Sequence, residues 1–222
     1  MAGLVMTIDG PAASGKSTVA RLLAQRIGAC FLDTGAMYRA VTWAAIQAGV
    51  DLTDADRIAD MMGATRFCFE PHADGMAVSV NGQDVTALIR DPQVTAQVKF
   101  VAAAALVRER LVQMQRAFAQ AAERIVTEGR DQGTVAFPDA EVKVFLTADP
   151  AERARRRQIE LQAAGQVTRL DQVHQAVAER DQSDQGREVG PLRPAPDAVM
   201  VDTTGLGIDQ VVERLAQLVK DR

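Results

Sequence analysis

Cysteine and histidine occur only twice each in the 222 residues. Cys30 and Cys68 lie far apart in apolar stretches (Ala29-Cys30-Phe31 and Phe67-Cys68-Phe69), so buried free thiols are expected rather than a disulfide. His72 and His174 have no Cys or His at ligand spacing, which argues against a zinc site. Aromatics make up only 4%, leaving aliphatic residues and alanine to fill the core. No apolar run reaches membrane-spanning length. The segment 1–7 has no basic lead, and its short apolar run meets Asp9, so no signal peptide is expected and a cytoplasmic location follows. Positive charge is not in excess either. The net charge is −4, unlike a general nucleic-acid coat protein. Any anionic ligand must be held by local clusters of positive charge.

What is present is an ordinary globular composition, 47% hydrophobic and 24% charged. Of the 25 basic residues 21 are arginine, whose planar fork suits phosphate. Leu4-Val5-Met6-Thr7-Ile8, bounded by Asp9-Gly10-Pro11, has the form of a buried strand. A helix is expected to start near Gly15 or Lys16, with Val19, Leu22, Leu23 and Ile27 on one face and Gly28 as its stop. A strand at Cys30-Phe31-Leu32 and helices over 36–49 and 54–62 follow. The rhythm then changes to a β-rich insert, about 64–89, with Asn81-Gly82 as a hairpin signal. One helical region is expected from Asp91-Pro92 to Glu123, with Val107, Leu111, Met114 and Phe118 together. Strands over 125–128, 142–146 and 198–201 alternate with helices. The last helix gathers Ile208, Val211, Val212, Leu215 and Val219. This alternation implies an α/β fold with a doubly wound, mostly parallel sheet.

Gly10-Pro11-Ala12-Ala13-Ser14-Gly15-Lys16-Ser17 fits G-x-x-x-x-G-K-[ST] at every defined position. Its glycines let backbone N–H groups turn toward phosphate oxygens, and the following helix adds its positive end. Lys16 is expected at the β- and γ-phosphates and the Ser17 hydroxyl on Mg²⁺, with Thr18 completing the ATP-binding stretch. A regulatory GTPase would need a guanine-reading N-K-x-D segment, which is absent. The third core strand ends with a single acidic residue, Glu128, so a small kinase fits better than a motor ATPase.

Three more clusters follow strands or occupy one helix face, where ligands bind in open α/β sheets. They are Asp33-Thr34-Gly35-Ala36-Met37-Tyr38-Arg39, Glu128-Gly129-Arg130-Asp131-Gln132-Gly133-Thr134, and Arg180-Asp181-Gln182-Ser183-Asp184-Gln185-Gly186-Arg187. In the last, Arg180, Asp184 and Arg187 recur at helical spacing. With the phosphate loop, these clusters make the chain resemble the bacterial cytidylate kinases over essentially its whole length. The β-rich insert is similar to the enlarged acceptor lobe of that family.

The resemblance implies a five-stranded P-loop kinase core (1–33, 104–149 and 166–222), a CMP-binding lobe (about 34–103) and a helical lid (about 150–165). It implies ATP-dependent phosphorylation of CMP and dCMP with Mg²⁺. Arg39 and Arg130 would clamp the acceptor phosphate with Thr34. Arg108 and Asp131 would read cytosine, Arg180 and Asp184 the ribose, and Arg187 a phosphate. Lys99 stands where family members often carry a base-contacting serine; its cation could reach O2 or a phosphate but cannot accept from N4. Ala105 stands where proline is common. Arg153 and Arg157 share a face of the expected lid helix, at least one of them acting on the transferring phosphoryl group. The acceptor phosphate is itself anionic, so no general base is required. A monomer is expected, since the core accounts for every apolar face traced. Two readings compete: a P-loop kinase with another acceptor, and a nucleotide-dependent switch without one.

Overall fold

The computed structural model describes residues 3–72, 75–163 and 165–220. Met1 and Ala2 of the N-terminal segment and Ala164 of the expected lid segment lie outside the described residues. The chain opens with β1 (Leu4–Asp9), whose last four residues are buried. Helix α1 (Lys16–Ile27) follows and stops at left-handed Gly28. Val19 and Leu23 are buried, while Leu22 and Ile27 pack against the core from its edge. Strand β2 (Cys30–Asp33) leads directly into α2 (Thr34–Gln47). This helix begins two residues earlier than expected, because the Asp33 carboxylate caps it by accepting from the Ala36 N–H at 2.7 Å.

Helix α3 (Ala55–Ala64), capped by Asp54, leads into the insert, a three-stranded antiparallel sheet of β3 (Phe67–His72), β4 (Gly75–Val80) and β5 (Gln83–Asp84). Asn81 and Gly82 both have positive φ (50° and 83°) between Val80 and Gln83, the geometry of a two-residue hairpin loop. The expected helical region after Pro92 is two helices, α4 (Pro92–Ala103) and α5 (Ala105–Ala121), broken at extended Ala104. Nothing in an alanine run signals that break. The Arg108 guanidinium occupies the Ala102 carbonyl at 3.0 Å, replacing a helical partner with a side chain reached only after the turn.

Strands β6 (Arg124–Gly129) and β7 (Val142–Thr147) flank a π-helical turn, Gln132–Ala136. Then come α6 (Pro150–Ala163), α7 (Leu170–Gln185), β8 (Val199–Asp202) and α8 (Ile208–Lys220). The main sheet has the order β2-β6-β1-β7-β8, every neighbouring pair parallel. One apolar cluster holds α1 and α8 on the sheet around Met6, Val144 and Leu215. A second joins α2, the insert, α4 and α5 around Met37, Ile58 and Leu111, with Met114 and Phe118 at its edge. Ile208 is half exposed instead of core. Both cysteines are free as expected but only half-buried, since each lies on a strand at the edge of its sheet.

Candidate active site

The phosphate loop sits between the end of β1 and the start of α1, at the carboxyl end of the central strand. Gly10 passes so close to the Leu146 carbonyl on β7 that a β-carbon would overlap it. Gly15 takes φ 89° at the helix start, and no side chain caps α1. The first turn therefore presents backbone N–H groups to whatever anion enters. Lys16 is buried, its ammonium 2.6 Å from the Pro11 carbonyl and 3.4 Å from Ser14 Oγ. Burial, with Arg130 nearby, lowers Lys16 to about 7 despite Glu128 and Asp9. A polyphosphate would supply the negative charge that favours its protonated form. Ser17 Oγ donates to Glu128 Oε1 at 3.0 Å. Burial raises Glu128, with Asp33 adding to the effect.

Across a cleft of about 640 Å³, the clusters after β2 and β6 and the end of α7 converge. Seven basic side chains line this cleft (Lys16, Arg39, Arg108, Arg130, Arg157, Arg180, Arg187) against three acidic ones (Glu128, Asp131, Glu160). The chain carries net −4, so the cleft concentrates charge of the opposite sign. Asp184, fully buried behind the lining, organises it. Arg130 Nε lies 2.6 Å and Arg180 Nε 3.5 Å from its carboxylate, and Arg187 pairs with it as well. Burial opposes ionisation there, but the three guanidiniums win and hold Asp184 below the usual carboxylate range. Three cations on one carboxylate leave an excess that an anionic ligand can meet. Arg39 pairs with Asp33 at 3.2 Å, and its Nε is buried without a hydrogen-bond partner. Thr34 lines the cleft while its hydroxyl donates to the Glu128 carbonyl at 2.7 Å.

Deeper in the cleft, Arg108 and Asp131 form a buried ion pair. The Arg108 guanidinium lies 5.5 Å from the centre of the Tyr38 ring. Thr95, Val98 and Ala102 of α4 complete this wall.

Not every expected residue is here. Lys99 is exposed on α4, with its ammonium 5.1 Å from the Phe100 ring. It does not line the cleft, although Thr95, four residues before it, and Ala102, three after it, both do. Arg153 is also turned away. It is buried, donates to the Ala12 carbonyl at 3.0 Å and pairs with Asp181, whose other oxygen accepts from the Ala12 N–H at 2.9 Å. Arg157 lines the cleft while reaching Glu160 at 2.9 Å. Arg187 lies beyond the end of α7 at Gly186 rather than on its face, and still reaches Asp184. Of the loop, 12–18 line the cleft and Gly10 and Pro11 stand outside the lining.

Sequence reasoning gave no role to Asp9, Asp33, Tyr38 or Asp181. Asp9 was visible as a charge closing an apolar strand. Asp181 stood inside a cluster already singled out. Asp33 and Tyr38 likewise stood inside the cluster that carries Arg39, but nothing in the spacing marked Asp33 as the partner of Arg39.

The family model for cytidylate kinase matches residues 6–221. The cytidylate kinase of Geobacillus thermodenitrificans (strain NG80-2) is 48% identical over 219 residues, covering 99% of this chain and 97% of that protein. The cytidylate kinase of Geobacter sulfurreducens is 44% identical over 220 residues, 99% of this chain and 94% of that protein. In fold alone, the chain is similar to the crystal structure of TT1252 from Thermus thermophilus, with TM-score 0.51 and 18% identity over 100% of this chain and 98% of that one. Because the match runs through the phosphate loop, the antiparallel insert and the arginine-lined wall without interruption, this chain belongs to the cytidylate kinase family.

Proposed function

We propose that this chain transfers the γ-phosphoryl group of ATP to the phosphate of CMP or dCMP, with the donor on the phosphate loop and the acceptor on the arginine wall. The observation that carries this reading is one cleft with two separate anion-binding faces, a helix start on one side and the Arg39, Arg130, Arg180 and Arg187 group on the other. A switch that only hydrolysed ATP would leave the second face without a use.

Lys16 and the N–H groups at the start of α1 hold the donor phosphates. Arg39 and Arg130 hold the acceptor phosphate, whose second pKa of about 6 leaves its oxygen anionic at neutral pH. That oxygen is the nucleophile, so the protein's work is alignment and charge neutralisation rather than proton removal. Arg157 on α6 is the lid arginine that meets charge on the transferring group as water is excluded. The paired oxygens of Ser17 and Glu128 suit Mg²⁺, which prefers oxygen ligands and takes the rest from phosphates and water. When bound it would neutralise charge on the donor phosphates. Asp131 can accept from the cytosine N4 amine, where uracil offers a carbonyl, and Arg108 can donate to N3 or O2. Arg180 serves the ribose side, and Asp184, buried behind it, acts there by holding Arg180 in place. In this reading 34–103 is the acceptor lobe and about 150–165 the lid.

The test is an acceptor screen at fixed ATP: CMP, dCMP, UMP, AMP and shikimate, with ATP hydrolysis followed in parallel. CMP and dCMP should be phosphorylated far faster than the others. ATP hydrolysis at one rate whatever the acceptor would replace the kinase reading with the switch.

A further inference from the structure

Neither the donor face nor the acceptor face uses Asp9, yet this carboxylate is almost wholly buried between them. It closes β1, immediately before Gly10 of the phosphate loop. In the parallel pairing of β1 and β6 it stands opposite Gly129, where the acceptor loop 129–133 begins. Its oxygens are divided with little slack. Asp9 Oδ1 accepts from the Gln132 N–H at 2.9 Å, and Oδ2 accepts from the Gly133 N–H at 2.8 Å. Those two amides directly follow Arg130 and Asp131.

The rest of the loop is fitted around this contact. The Thr127 hydroxyl donates to Gln132 Oε1 at 3.0 Å. A β-carbon at Gly133 would come within 2.9 Å of Thr7 Oγ1, so glycine is what lets this amide descend onto the carboxylate. The turn that starts here is π-helical, with the Phe137 N–H donating to the Gln132 carbonyl. An irregular turn has few repeating bonds to set its position, and a carboxylate holding two successive amides can set it from outside.

We infer that Asp9 is a positioning residue for phosphoryl transfer, fixing the loop that carries Arg130 and Asp131 in register with the phosphate loop one residue away. The inference rests on the reading of Arg130 and Asp131 as acceptor contacts. A single buried side chain then determines the offset between the two reacting phosphates, and no ligand touches it.

Two variants test this from opposite sides. Asp9→Asn replaces one acceptor oxygen with an amide that faces a backbone N–H. Gly133→Ala leaves Asp9 intact and pushes the same N–H away through Thr7. Each is to be assayed with ATP and either CMP or UMP, beside Asp131→Ala. Losing one such bond corresponds to about a tenfold effect. Both variants should raise the KM for CMP by about that factor and narrow the preference for CMP over UMP. The KM for ATP should stay within about threefold. An unchanged KM for CMP in either folded variant overturns the inference, as does a KM for ATP that rises by the same factor. If Asp9→Asn does not fold, Gly133→Ala decides. If Asp131→Ala narrows the preference while the two positioning variants leave it unchanged, the positioning role fails and the base reading stands. If Asp131→Ala leaves the preference unchanged, the base reading fails, and the KM for CMP alone decides the role of Asp9.

Discussion

Asp184 illustrates how a single buried side chain can set the charge of a cleft. Three arginines reach its carboxylate, so each is held in place but not neutralised. Truncating Arg130 therefore removes a counter-charge of Asp184 and, in the proposed reading, an acceptor contact. Arg130→Ala and Arg39→Ala should each lower kcat/KM for CMP by about 2–4 kcal/mol of transition-state stabilisation. ATP binding measured without CMP should change little. Steady-state kinetics and a nucleotide titration separate the two, and a loss confined to ATP binding would move these arginines to the donor side. Lys99 is the contrasting case. Its exposed position on α4 means that Lys99→Ser should leave kcat/KM for CMP within about twofold, as for a surface substitution.

At the scale of elements, α6 carries two arginines four residues apart with opposite fates. Arg157 lines the cleft, while Arg153 is buried against Asp181 and the backbone of Ala12. Helical spacing puts both on one broad face. Which one reaches ligand depends on how α6 packs against α7, and that packing is tertiary. Arg157→Ala should lower kcat with little change in melting temperature. Arg153→Ala should instead cost stability, about 3 kcal/mol, because it leaves the Asp181 carboxylate buried beside a lost partner. Thermal melts followed by circular dichroism, with kcat on the same samples, check the division. Equal kinetic losses at unchanged stability would return Arg153 to the lid. The same dependence explains the α4–α5 break. The alanines around 102–105 favour helix, and only the arrival of Arg108 at the Ala102 carbonyl shows where the turn must go.

For the molecule as a whole, the cost of its buried charge depends on pH. Asp9 is raised from 3.8 to about 7, chiefly by burial, against the pull of its two backbone N–H partners and Lys16. The sign follows from linkage. Below about pH 4 the group is protonated in both states and contributes no penalty. Between pH 4 and 7 the unfolded chain ionises while the folded chain retains its proton, so stability falls as pH rises. Asp9→Asn cannot ionise and escapes this term. The melting temperature of the wild type relative to Asp9→Asn should therefore fall between pH 4 and 8, by on the order of several degrees for a chain of this size. A difference independent of pH would show that Asp9 ionises as readily when folded as when unfolded.

The sequence alone determined the parallel core, the insert and the phosphate loop, because these rest on local physics. Apolar runs of strand length, the Asn81-Gly82 turn and the G-x-x-x-x-G-K-S spacing act over a few residues. It also supplied the clusters proposed to hold the acceptor, since each directly follows a strand or occupies the end of one helix. What it left open were choices of direction and partner between segments distant in the chain. Thr95 lining the cleft while Lys99 does not, and Arg157 rather than Arg153 reaching it, are decided by how these helices sit against their neighbours. Asp9 belongs to the same class. Its amide partners lie 123 and 124 residues away, and only the pairing of β1 with β6 brings them within reach.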